Sequence, residues 1–140
     1  MLFFNWNKPK ETEIDKIRDF TIVTLKIIGM RSTCEYEMTN DGKTASVSLY
    51  HEICVPHGWQ RQLQKRTECS IEKALLLLND CKLHKWDGFH GKHPKNVHDG
   101  IMFTLEATLN GCIRIQADGS ENFPKHFSDF RNGLTNLLNG

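Results

Sequence analysis

At 140 residues the chain is about one domain, long enough to bury a core without a metal or disulfide staple. Its composition is that of an ordinary globular protein, 39% hydrophobic and 25% charged with no low-complexity tract, which excludes a disordered chain. A formal net charge of +1 supplies no general attraction to nucleic acid, a membrane surface or an acidic partner.

The opening Met1-Leu2-Phe3-Phe4-Asn5-Trp6 is far too short an apolar run for a signal-peptide core, and no later stretch is long enough to span a bilayer. Five cysteines, Cys34, Cys54, Cys69, Cys81 and Cys112, form an odd set at irregular spacing without a Cys-x-x-Cys pair. They read as reduced residues with no intramolecular disulfide, and the expectation is a soluble cytoplasmic protein.

Residues 1–19 mix charged side chains with Ile14 and Ile17 and predict a short first helix or an extended lead-in. Thr21 to Ile28 is rich in β-branched residues and predicts a strand, with Gly29 at its end or at a bulge. Cys34, Tyr36 and Met38 then alternate with Glu35 and Glu37, and Ala45, Val47 and Leu49 alternate with Ser46 and Ser48, around Asp41-Gly42. A two-residue turn there pairs Met38 with Ala45, Tyr36 with Val47 and Cys34 with Leu49, so that the apolar faces coincide.

Arg61 to Thr67 is polar and predicts a further, exposed strand. Ser70 is placed to cap a helix from Ile71 to about Cys81. Its run Ala74-Leu75-Leu76-Leu77-Leu78 is apolar over more than one stripe, which predicts cover on two sides.

After Asp99-Gly100, alternation through Ile101, Phe103, Leu105, Ala107 and Leu109 and again through Ile113, Ile115 and Ala117 predicts a hairpin. A two-residue turn at Asn110-Gly111 would oppose Ala107 to Arg114 and Leu105 to Gln116. A three-residue loop, Leu109-Asn110-Gly111 with the glycine left-handed, instead pairs Ala107 with Ile113, Leu105 with Ile115 and Phe103 with Ala117, and is the expected form. The last helix is expected to begin near Pro124 after a cap at Asn122, with Phe123, Phe127, Phe130, Leu134, Leu137 and Leu138 on one face.

These elements predict one α+β domain over residues 1–140, an antiparallel sheet of about five strands packed with two or three helices in two layers. Phe103, Leu105, Ile113, Ile115, Phe127, Phe130 and Leu134 are its expected common core.

Chemistry-bearing residues concentrate between the predicted helix and the last hairpin. His84, His90, His93 and His98 fall close together beside Cys81, Asp87 and Asp99, residue types that donate lone pairs to a metal, but their spacing fits no established ligand pattern. Cys54 lies near His51 and His57, as a nucleophile and base would, yet a strand puts His51 and Cys54 on opposite sides. Arg61, Lys65 and Arg66, and then Lys82, Lys85, Lys92 and Lys95, gather near Trp59, Trp86 and Phe89. Basic groups with stacking rings suit nucleic acid, but the balanced total charge argues against that partner; the plainer reading is solvated basic faces with Trp86 and Phe89 folded back onto the core, and a partner-binding patch lies between the two.

The order Trp86-Asp87-Gly88-Phe89, then Asp99-Gly100 before Phe103 and Leu105, then Gly119-Ser120 with Asn122, Pro124, Phe127 and Phe130, resembles a pattern in small uncharacterised bacterial proteins. An aspartate-glycine pair opens a strand there, and a glycine-serine-x-asparagine-x-proline turn leads into the last helix. The resemblance implies a bacterial cytoplasmic origin and carries no activity, because its residues are of turn and core type.

No paired carboxylates in a predicted cleft, no glycine-rich phosphate loop and no triad order appear, so no catalytic residue and no cofactor is assigned. The expected function is a non-enzymatic protein-binding module, of the kind that toxin-neutralising immunity proteins represent, acting on a protein partner or on itself. Its expected contact residues are Lys85, Trp86, Phe89, Lys92 and Lys95 in the long loop from His84 to His98. The alternative is a metal-binding enzyme or sensor using His84, His90, His93 and His98.

Overall fold

The computed structural model of the chain describes residues 15–140. The lead-in expected over residues 1–19 lies outside the described residues up to position 14, and 15–19 form a bend and an irregular approach to the first strand. Seven strands follow among the described residues: β1 (Phe20–Ile28), β2 (Thr33–Asn40), β3 (Ala45–Val55), β4 (Gly58–Cys69), β5 (His90–Gly91), β6 (Met102–Leu109) and β7 (Ile113–Ser120). Two α-helices, α1 (Ile71–Asp80) and α2 (Phe127–Leu138), complete the fold.

All seven strands join one sheet in the order β4-β3-β2-β1-β6-β7-β5, antiparallel except where β5 runs parallel to β7. This corrects the expectation of about five antiparallel strands with two or three helices. The sheet is mixed because the turn after Trp86 docks on the outer edge of β7. There the Gly88 amide donates to the Gln116 carbonyl, the Asp118 amide donates to the Phe89 carbonyl, each at 2.9 Å, and His90 pairs with Asp118. A two-residue strand made by such docking has no sequence periodicity to announce it.

Alternation decides which face is buried. Val23, Leu25 and Ile27, Tyr36 and Met38, Ala45 and Val47, Phe103, Leu105, Ala107 and Leu109, and Ile115 and Ala117 all turn toward the helices and join one core. Both predicted hairpins form, each with its register moved by two residues. Met38 opposes Val47 rather than Ala45, because the loop has four residues, 41–44. The Asp41 carboxylate accepts from the Lys43 and Thr44 amides there, and the Asn40 side chain accepts from the Gly42 amide.

In the second hairpin Ala107 opposes Ile115, around the loop Asn110-Gly111-Cys112. Asn110 itself is left-handed, with φ 48°. Its side chain accepts from the Arg18 and Asp19 amides and donates to the Lys16 carbonyl, which ties the approach to β1 to this turn. A shift of two leaves every side chain on its own face, so pattern fixed the faces while polar turn contacts chose the loop.

Ser70 caps α1 by accepting from the Lys73 amide, 3.1 Å away. The expected two-sided cover of α1 is corrected: Ala74 and Leu78 are buried, but Leu76 is 61% exposed. Helix α2 begins at Phe127, later than Pro124, because Lys125 and His126 complete a turn in which the Phe127 amide reaches the Pro124 carbonyl. Phe127, Phe130, Leu134 and Leu138 are buried along its inner face. Ile113, expected in the common core, is partly buried and packs at its margin.

The sheet face away from the helices is polar. Lys26 pairs with Glu52 at 2.8 Å, and Arg61 pairs with Glu35 at 2.7 Å and Glu37 at 3.5 Å. The Arg61 guanidinium also lies 3.5 Å above the Tyr50 ring, and Arg66 donates to the Ser48 and Tyr50 hydroxyls. These half-exposed pairs are individually weak, and together they order the exposed face of β1 to β4.

Candidate functional site

The first half of the loop from His84 to His98 is folded against the core. A single 3₁₀ turn covers Leu83–Lys85, and Trp86 follows at 3% exposure. Its ring stacks on Phe127 at 6.0 Å between centroids and meets Phe130 edge-on at 5.6 Å. Trp86 therefore belongs to the core and presents almost nothing to a partner. Phe89 is half-buried and packs on Phe103 at 6.2 Å. Lys85, Lys92 and Lys95 are exposed, with Lys92 and Lys95 on the irregular outer half of the loop.

The four loop histidines take separate surroundings. His84 is 7% exposed, His90 pairs with Asp118 at 3.2 Å, His93 bonds the Ser120 hydroxyl and the Val97 carbonyl, and His98 is exposed. Among the described residues no group of three or more His, Cys, Asp or Glu side chains converges on a point where a metal could sit.

Burial holds the His84 pKa below its ordinary value, with the positive charge of Lys85 adding to the effect. A neutral buried imidazole stabilises the fold fully above the unfolded value of 6.5, and that stabilisation is lost as pH falls through the lower folded value. The thermal midpoint is thus expected to drop on acidification from pH 6.5, and His84→Phe should flatten that part of the pH profile. An unchanged slope in the variant would remove His84 as its source.

The Cys81 thiol is buried beside α1, and burial, followed by the charges of Asp129 and Asp80, pushes its pKa up to about 11. It remains protonated at neutral pH and is a poor nucleophile. Cys34 and Cys69 are also raised, chiefly by burial. Cys54 and His51 lie on opposite faces of β3, opposite Trp59 and Gln62 respectively, so they do not form a nucleophile and base pair. All five cysteines carry free thiols.

Two surfaces have the character of sites. The first is a cleft of about 340 Å³ between the turn after α1 and the segment before α2, walled by Lys82, Lys85, Lys125 and His126 with Phe89 and Phe123 over Trp86. It contains three of the expected contact residues, Lys85, Trp86 and Phe89. Lys125, His126 and Phe123 join them only because α2 starts beside Trp86, and no sequence signal marks that approach.

The second surface is the β3–β4 ribbon. Pairing of β3 with β2 stops at Glu52, so residues 53–60 project past the neighbouring strand. Trp59 is 70% exposed and Leu63 47% exposed on the polar side of this ribbon, beside Tyr50 and Cys54. The two sheet edges differ. β5 and its turn cover β7, whereas no described strand pairs with the outer side of β4.

No helix among the described residues is long and apolar enough to cross a membrane. Comparison with known proteins finds no matching family, no matching curated protein and no matching solved structure.

Proposed function

We propose that this chain is a non-enzymatic protein-binding module of the cytoplasm, and that the β3–β4 ribbon is its contact surface. The observation that carries the reading is Trp59, 70% exposed on a ribbon that reaches past the rest of the sheet. A tryptophan costs little side-chain entropy when it is immobilised and buries a large area, so it is a preferred anchor at interfaces. Leu63, opposite Tyr50, lies further along the same face, and Arg61, paired with Glu35 and Glu37, stands between it and Trp59 as the polar part of the surface.

The partner is a protein strand that adds to the outer edge of β4, from another protein or from a second copy. A bulge at Gln64, between the pairs Leu49–Lys65 and Tyr50–Leu63, and the cations Lys65 and Arg66 guard the half of this edge nearest α1. Gly58 to Leu63 has no bulge, and its one cation, Arg61, is taken up by Glu35 and Glu37 on the sheet face, so the partner strand is confined there. The odd number of cysteines fits the reducing compartment.

Trp59→Ala combined with Leu63→Ser is expected to abolish both concentration-dependent self-association and retention of any stoichiometric co-purified protein. Both side chains are exposed, so the thermal midpoint should stay within a few degrees of wild type. Light scattering and co-purification that are the same for wild type and variant would refute this reading.

A further inference from the structure

We infer that the cleft between the turn after α1 and the segment before α2 is a binding site for a nucleoside monophosphate, its phosphate held by the lysines and its base lying against the rings. Lys82 and Lys85 stand on one wall and Lys125 on the other. None of the three forms an ion pair among the described residues. No described carboxylate lines the cleft; Asp80 and Asp129 lie behind its wall residue Cys81, and Asp129 also bonds the His126 ring at 3.1 Å.

Three lysines without an ion pair around one concavity, in a chain whose net charge is only +1, outnumber the carboxylates Asp80 and Asp129 behind Cys81 and favour an anion there. A phosphate monoester carries about −1.5 to −2 charges near neutral pH, which matches three lysines better than a single carboxylate does. Phe89 and Phe123 are half-buried and leave ring surface to the cleft, the apolar wall that a flat base requires. A volume near 340 Å³ lies at the small end of ligand sites, about 300–1,000 Å³, and so selects a mononucleotide over a longer chain.

The test is titration of the full chain with adenosine 5′-monophosphate, followed by calorimetry and amide chemical shifts, with adenosine and inorganic phosphate as separate arms. Saturable one-to-one binding with a Kd below about 1 mM is expected, with shifts centred on Phe89, Lys125 and His126. Either fragment alone should bind at least about tenfold more weakly.

Lys85→Glu with Lys125→Glu should cost at least about tenfold in affinity at an unchanged thermal midpoint, and Lys92→Glu with Lys95→Glu, outside the cleft, should bind as wild type. If the glutamate pair lowers the midpoint, Lys85→Gln with Lys125→Gln replaces it and should still weaken binding. Any of four results overturns the proposal: no saturation by about 1 mM, adenosine or phosphate alone binding as tightly as the nucleotide, equal losses from both lysine pairs, or shifts centred elsewhere.

Discussion

Replacing Phe103 by alanine is expected to lower stability by about 3–5 kcal/mol, the range for truncating an aromatic ring in a packed core. Phe103 is 1% exposed and is the ring around which the aromatic cluster assembles. Phe127 lies 4.9 Å from it, Phe123 5.7 Å, Phe89 6.2 Å and Trp86 6.5 Å between centroids. Truncation removes buried apolar area and leaves a cavity bordered by groups fixed on three separate elements, which limits how far it can collapse. Denaturant unfolding is the measurement, and the midpoint should fall at an unchanged m value. Phe89→Ala should cost clearly less, because that ring is half-buried with Phe103 as its described ring partner. Equal losses in the two variants, or a loss below about 1 kcal/mol for Phe103→Ala, would show that the cluster is not the centre of the core.

Gly119→Ala is expected to destabilise by about 3 kcal/mol, at the upper end of overpacking effects. A Cβ at this position would lie 2.1 Å from the Asn122 carbonyl oxygen and 2.7 Å from a carbon of the Phe103 ring. One obstacle is backbone held by its own turn and the other is the most enclosed ring of the core, so neither gives way cheaply. Gly133→Ala is the matched control. Its Cβ would come within 2.2 Å of Leu77, but of the tip of a rotatable side chain, and alanine in a helix gains about 1 kcal/mol over glycine. The two effects leave Gly133→Ala close to neutral in the same unfolding assay. A Gly119→Ala protein as stable as wild type would mean that the turn from Ser120 to Asn122 yields to accommodate the methyl.

The same turn gives a structural account of the glycine-rich pattern in the last third of the chain. A Cβ on Gly91 would lie 2.3 Å from the Asn122 carbonyl, and one on Gly100 would lie 2.2 Å from Glu121. Asp87 accepts from the Gln116 amide, and the Glu121 carboxylate accepts from the Ile101 amide. These residues clamp the 86–91 turn, the start of β6 and the end of β7 to one another. Their spacing follows from backbone packing, and it is this packing that carries Phe89 and Phe123 to the rim of the cationic cleft.

Local periodicity by itself determined the strands β1, β2, β3, β6 and β7, the Ser70-capped helix and the inner face of α2. In each case side chains two or about 3.6 residues apart share one environment, and that signal lies wholly within a short stretch of chain. Hairpin register was half determined. The faces followed from alternation, while the loop residues depended on hydrogen bonds from Asp41 and on Asn110 reaching a segment far away in sequence.

Only the tertiary structure decided the remainder: that the 86–91 turn becomes a parallel edge strand, that Trp86 is buried in the core, that Trp59 stands exposed, and that Lys125 and His126 face Lys82 and Lys85. Each of these depends on which distant element comes to lie beside a residue. A tryptophan or lysine has the same local signature whether or not a neighbour covers it, because burial and field are properties of the assembled sheet and helices and not of the stretch of chain that carries the side chain.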